Sequence, residues 1–177
     1  LPSHEIDPLP VAPVEPPRPA FLGNRVLESV AVKALVPFLN EDVLFKFQWG
    51  YLKKRMSSEA HAEQLRTVAR PALVDLLRRF GDDGTLRPQA VYGWFRCKPE
   101  GDALRVFNDG DDVLLRFPRQ AAVGGRAIPD FFHPGGDVVG MMAVTVGEGA
   151  TAATQALFDA NAYTDYLHLH GLSVELT

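Results

Sequence analysis

Ala90-Val-Tyr-Gly-Trp-Phe-Arg-Cys97, Ala103-Leu-Arg-Val-Phe107 and Val113-Leu-Leu-Arg-Phe117 are three short runs rich in β-branched and aromatic residues. Between them stand Lys98-Pro-Glu-Gly-Asp102 and Asn108-Asp-Gly-Asp111, clusters of the residue types that make tight turns. Strand-length runs split by such turns predict an antiparallel meander. A Gly- and Pro-rich stretch follows. The nearly continuous apolar run Val138–Val146 then predicts a further strand, placed centrally because it has no polar face to show to water.

The segments on either side have a different texture. Leu65, Val68, Ala69, Ala72, Leu73, Leu76, Leu77 and Phe80 fall on one helical face between residues 59 and 80, with Arg, Gln, Glu and Asp opposite. Pro71 lies inside this pattern and predicts a kink or two helices end to end, and Gly81-Asp-Asp-Gly84 stops it. Nearer the start, Ser29 can cap a short helix through Leu35. Asn40-Glu41-Asp42 offers a second cap with two acids in the first turn, and Val43, Phe47 and Tyr51 follow at i, i+4 and i+8. Behind the apolar strand come a helix over Thr151–Ala160 and another from about Tyr163 that is expected still to be running at Thr177. The fold class is therefore α+β: an antiparallel sheet, made of a meander plus a central apolar strand, flanked by helices.

Seven of the fourteen prolines lie within residues 1–20, a density that forbids helix and predicts an extended interdomain linker. The globular part is expected over residues 21–177. A first residue of Leu, a linker in front and an unfinished last helix lead us to expect a piece of a longer protein, incomplete at its C-terminal end. Of the 177 residues 46% are hydrophobic and 23% charged, with net charge −4, so a real core can be buried and no basic surface favours nucleic acid. No apolar run approaches the roughly 18 residues of a membrane span. The lone Cys97 can form neither an internal disulfide nor a thiolate cage, which fits a reducing, cytoplasmic setting and a small buried strand residue.

Four places invite a functional reading. Gly147-Glu-Gly-Ala-Thr-Ala152 fits G-x-G-x-x-A between a strand and a helix, yet Glu148 would stand where a pyrophosphate wants bare amides, and a tight turn is favoured. His168 and His170, two apart on a helix, point to opposite sides and cannot share a metal ion. Asp130 and His133 lie in the irregular stretch before the apolar strand, with no role assigned. Asn40-Glu41 presents polar side chains at a helix start, where a cap is the simpler account and the grip of an amino-acid ammonium group the functional one.

Taken together, several stretches resemble the activation domain of cobalamin-dependent methionine synthase. They are Phe21-Leu-Gly-Asn-Arg-Val-Leu-Glu28, Leu35-Val-Pro-Phe-Leu-Asn-Glu41, Leu44-Phe-Lys-Phe-Gln-Trp49, the run Ala90–Cys97, Leu115-Arg-Phe-Pro-Arg-Gln120, Pro129-Asp-Phe-Phe132, the strand into Val144-Thr145, and Tyr166-Leu-His-Leu-His-Gly-Leu-Ser-Val-Glu175. Each is weak alone, but they run in the family's order across residues 21–177. The resemblance implies a bent antiparallel sheet with helices around it. It also implies a module, within a methyltransferase that makes methionine from homocysteine, that binds S-adenosylmethionine beside a cobalamin-binding domain of the same protein. There, cob(II)alamin is returned to methylcobalamin with an electron from flavodoxin or a similar reductase.

The resemblance carries expectations for the ligand site as well. The family's acid for the ligand ammonium group falls on Asn40, with Glu41 adjacent. Asn brings no charge, so the contact weakens unless Glu41 substitutes. The family's carboxylate-binding arginine, in an Arg-x-x-x-Gly-Tyr-Pro motif, is absent, and neither Arg119 nor Arg126 has that context. Weak or no binding of S-adenosylmethionine by this chain is expected, and inactivity alone. The alternative is an interaction module that docks on a cobalamin domain or reductase without that ligand.

Overall fold

The computed structural model describes residues 14–121 and 125–177. The prolines up to Pro13 therefore lie outside the described residues. The described residues divide into two compact units, one formed by residues 14–25 together with Val91–Met142, the other by Val26–Ala90 and Ala143–Thr177.

The first unit is built on the meander. Strands β1 (Gly23–Leu27), β2 (Gln89–Glu100), β3 (Ala103–Val106), β4 (Val113–Arg116) and β5 (Asp137–Thr145) form one open antiparallel sheet in the order β1-β2-β3-β4, with β5 also paired to β2. The β2–β3 hairpin closes Glu100 against Ala103, so its loop is only Gly101-Asp102. Gly101 at φ +59 supplies the left-handed first position that a II′-type hairpin requires. From there the register follows: Cys97 faces Val106, and Leu104 faces Leu115. Alternate side chains gather on one face, where Cys97, Leu104 and Val106 are buried and Phe95, Leu115, Phe117, Phe132, Val139 and Met141 pack against them. The expected antiparallel sheet is there, with β2 as the strand on which it is organised. The apolar β5 is not central as expected: among the described residues its pairing in the sheet is with β2 alone, and it leaves Met142 73% exposed.

The second unit is helical. It holds α1 (Val32–Leu35) running into a 3-10 turn, α2 (Glu41–Val43) running into a π turn at Leu44–Gln48, α3 (Ser58–Gln64), a second π turn at Leu65–Ala69, α4 (Arg70–Phe80), α5 (Glu148–Asp159) and α6 (Tyr163–Glu175). Pro71 has the effect expected of it. It lies at the start of α4, which follows α3 end to end through the π turn, and the widened turn just before it takes up the break its missing N–H makes in the ladder. Leu73 and Leu76 of that helix join Leu44, Phe45, Trp49, Leu169 and Leu172 in one buried cluster.

Four local expectations need correction. The first helix starts after Ala31, with no side-chain cap from Ser29, because Val30 N–H is drawn back to the Pro88 carbonyl. In the α2 segment the inward face is Leu44, Phe45 and Trp49, while Phe47 is 74% exposed. The cause is the π turn: Trp49 N–H bonds to the Leu44 carbonyl five residues back, which rotates everything after it. Helix α5 begins at Glu148 rather than Thr151, and α6 ends at Glu175 rather than running through Thr177.

Candidate functional site

Asn40 does cap its helix. Its Oδ1 accepts the Val43 N–H at 3.2 Å, so one of its two acceptor positions is already occupied. Of the two acids that follow, Asp42 pairs with Lys46 at 2.9 Å, one turn along. Glu41 reaches across to Arg70 at the start of α4 and forms an ion pair with it. The result is a carboxylate and a guanidinium side by side at the surface, beside an amide oxygen with one acceptor position open. Each of these charges is already satisfied by the other. An incoming zwitterion would have to open the pair before using it.

Beyond the π turn the same segment enters the core. Trp49 donates its indole N–H to the His168 carbonyl at 3.0 Å, and the two rings lie 4.3 Å apart. Tyr51 brings its hydroxyl to His168 Nε2 at 3.3 Å. The Tyr51 carbonyl lies 2.7 Å from His61 Nε2. Since a carbonyl can only accept, that imidazole carries its proton on Nε2. Burial lowers the His168 pKa and raises that of Tyr51, so both rings are held neutral. Gly171 makes this packing possible: a Cβ there would stand 2.8 Å from Gln48 Cβ and 2.9 Å from the Trp49 ring.

The remaining candidates resolve into structural parts. His168 is buried against Trp49, while His170 stacks on Tyr166 with ring centroids 5.7 Å apart, so the two histidines serve different surroundings. Among the described residues no group of three potential ligands could hold a metal ion. In the Gly147–Ala152 turn, Gly147 at φ +85 makes the bend and its N–H is taken by Thr145 Oγ1 at 3.0 Å. Gly149 allows the helix to approach the Thr85 backbone, which a Cβ would meet at 2.7 Å. The antiparallel sheet removes the parallel β-α-β setting that a dinucleotide needs, so the nucleotide reading falls.

In the sheet unit, Asp130 accepts two hydrogen bonds from Arg119, at 2.8 and 3.0 Å, and one from Ala127 N–H at 2.9 Å. Arg119 also grips Asp102 in the hairpin turn at 2.6 Å. The Arg119 hydrogen bonds hold the Asp130 carboxyl below the usual carboxylate range. His133 uses Nδ1 to accept from Gly135 N–H at 3.1 Å, while its backbone N–H donates to Asp137 at 2.9 Å. Both residues are loop fasteners. Cys97 is buried, and burial together with the nearby Asp137 charge pushes its thiol up to about 11.

Sequence reasoning reached Asn40 and Glu41 but missed Arg70, which is 29 positions away from Glu41 and carries no local signal. It also missed the Trp49–Tyr51–His168 cluster. There one sign was available, a glycine at position 171 in the middle of an otherwise helical pattern.

No protein-family model matches the chain. Over 94% of its length it is 35% identical to methionine synthase of Mycobacterium tuberculosis, and over 93% it is 34% identical to methionine synthase of Mycobacterium leprae. It spans about 15% of the length of each. The crystal structure of the MetH reactivation domain bound to AdoHcy shares its fold, with a TM-score of 0.72 at 19% identity, covering 92% of this chain and 54% of that one. The chain is thus related along nearly its whole length to one segment of mycobacterial methionine synthases, and it has the fold of the methionine synthase reactivation domain.

Proposed function

We propose that this chain is the activation module of a cobalamin-dependent methionine synthase and supports the return of cob(II)alamin to methylcobalamin. S-adenosylmethionine supplies the methyl group, and flavodoxin or a similar cytoplasmic reductase supplies the electron. The observation that carries this reading is likeness to methionine synthases over 94% of the chain at 35% identity, in a chain with the fold of a reactivation domain bound to AdoHcy. The cobalamin belongs to a neighbouring domain of the same protein, and this chain contributes the ligand surface beside it.

Asn40 and Glu41 are the residues assigned to the ligand's ammonium group. Asn40 offers its remaining lone pair, and Glu41 offers charge once it parts from Arg70. Arg70, released in the same step, is the cation within reach of the ligand carboxylate. The exposed Glu41–Arg70 pair opposes this by no more than about 1 kcal/mol, and the weak binding expected of the chain alone rests on the absent Arg-x-x-x-Gly-Tyr-Pro motif.

The test uses the full-length protein in which this segment is encoded. With S-adenosylmethionine and reduced flavodoxin, the intact protein should recover from its cob(II)alamin form. Deleting residues 21–177 should abolish recovery while sparing methyl transfer by enzyme that is already active. Recovery without the segment would refute the proposal. For the isolated chain, calorimetric titration should give no binding tighter than the millimolar range, and a low-micromolar constant would overturn the site assignment.

A further inference from the structure

The sheet unit contains a groove that none of this uses. Its volume is about 600 Å³, within the range of small-molecule sites. One wall is the proline segment Pro16–Pro19, and the floor is β2 at Arg96–Lys98 with the turn Gly135–Val138 beside it. Arg96 and Lys98 are two apart on β2 and so project from the face opposite Cys97. Arg18 comes from the proline segment and lines the same groove. Phe107, 40% exposed, adds an aromatic surface.

The charges in this groove are unbalanced. Among the described residues none of Arg18, Arg96 and Lys98 takes part in an ion pair, whereas Arg66, Arg70, Arg78, Arg79, Arg105 and Arg119 all do. Lys98 also stands directly across from Arg105 in the β2–β3 ladder, a like-charge juxtaposition. Arg105 is bonded to Glu100 at 2.7 Å, and Lys98 faces the same carboxylate without bonding to it. The one acid in the lining, Asp137, accepts from the backbone N–H groups of His133 and Val138 at 2.9 and 2.7 Å and keeps its charge, so the lining carries three cations against one carboxylate. Three cations from two separate stretches of chain against one carboxylate, in one concavity of a protein of net charge −4, make this groove a locally positive place that favours an anion.

We infer that this groove binds a small organic anion bearing phosphate groups, which bridges the proline segment to β2 through Arg18, Arg96 and Lys98. The paired arginine forks suit phosphate oxygens, and Phe107 provides a face for an apolar or planar part of the ligand. Occupancy would turn Pro16–Pro19 from a spacer into a strap fixed on the sheet.

The test is a titration of the isotope-labelled 177-residue chain with sodium pyrophosphate at constant ionic strength, followed by amide NMR. Saturable shifts confined to residues 16–22, 96–98 and 135–138, at submillimolar concentration, are expected. Arg96→Gln with Lys98→Gln should weaken binding at least tenfold, and Arg116→Gln, outside the groove, should leave it unchanged. Citrate in place of pyrophosphate separates phosphate from carboxylate recognition, with citrate at least tenfold weaker. Shifts that do not saturate, that spread over all basic residues, or that survive the double substitution would overturn the proposal, as would equal binding of citrate.

Discussion

Replacing Gly171 by alanine sets two known effects against each other, and the structure decides which wins. Alanine is favoured over glycine in a helix interior by about 1 kcal/mol, so on propensity alone the substitution stabilises α6. Its Cβ, however, would sit 2.8 Å from Gln48 Cβ and 2.9 Å from Trp49 Cδ1 and Nε1. The indole cannot easily retreat. Trp49 is 5% exposed, bonded to the His168 carbonyl at 3.0 Å and packed against Phe45 with ring centroids 5.3 Å apart. Overpacking of this kind costs about 1–3 kcal/mol. The balance is a net loss of about 1 kcal/mol, seen as a melting temperature about 2–4 °C lower. Urea denaturation of the two proteins measures it directly. The decisive comparison is the same substitution in a Trp49→Leu background, where the bulky ring is gone and only the Gln48 contact remains. There Gly171→Ala should be close to neutral, giving a coupling of about 1 kcal/mol between the two sites. If Gly171→Ala raises stability in the otherwise natural chain, the packing argument is wrong; if it costs as much without the indole as with it, the tryptophan is not the obstacle and the Gln48 contact carries the cost.

Two further outcomes follow from the buried titratable groups. His168 has its pKa lowered mainly by burial, with Asp165 opposing, so the unfolded chain binds its proton more readily than the folded one. The neutral ring's contribution is therefore whole above the unfolded pKa of about 6.5 and is lost as pH falls below it toward the folded value, at no more than about 1.4 kcal/mol per pH unit. Urea midpoints between pH 7.5 and 5.5 should fall more steeply for the natural chain than for His168→Gln, and parallel curves would count against this account. Cys97, with its thiol pushed up to about 11, should react with iodoacetamide at pH 8 on the order of 100-fold more slowly than an ordinary exposed thiol, until denaturant is added. Alkylation of the folded chain at the rate of a free thiol would show that the strand is not closed over it.

The meander was legible because its signals are local. Side chains alternate with period two, and Gly101 and Gly110 mark turns that only a residue tolerant of positive φ fills cheaply, at φ +59 and +103. Strand β1 was not legible. Gly23-Asn-Arg-Val-Leu27 has four exposed positions and no alternation, and it is a strand only because β2 offers an edge to pair with. The Asn40 cap could be read from Asn-Glu-Asp at a helix start, since the bond it makes is three residues long. The ion pair that governs whether Glu41 is available could not, because Arg70 arrives through the packing of α4.

The π turn at Leu44–Gln48 explains why the same segment misled on its inward face and yet matters most for the site. An α-helix from Asn40 onward would keep Val43 and Phe47 on one side, the pattern the sequence suggests. A bond five residues back instead of four inserts one residue and turns everything beyond it by about 100°. That rotation sends Phe47 to solvent and carries Trp49 inward, to the carbonyl of His168 and the gap that Gly171 leaves. The start of the segment is untouched by the rotation, so Asn40 and Glu41 remain at the surface. One irregular turn therefore separates a polar surface end, the proposed ligand contact, from an aromatic end that anchors α6. Ligand contact at Asn40 and Glu41 would be felt first by Arg70 and α4, not by the buried tryptophan. If Asn40 and Glu41 hold the ligand as proposed, the Glu41–Arg70 pair is where binding and fold would be coupled.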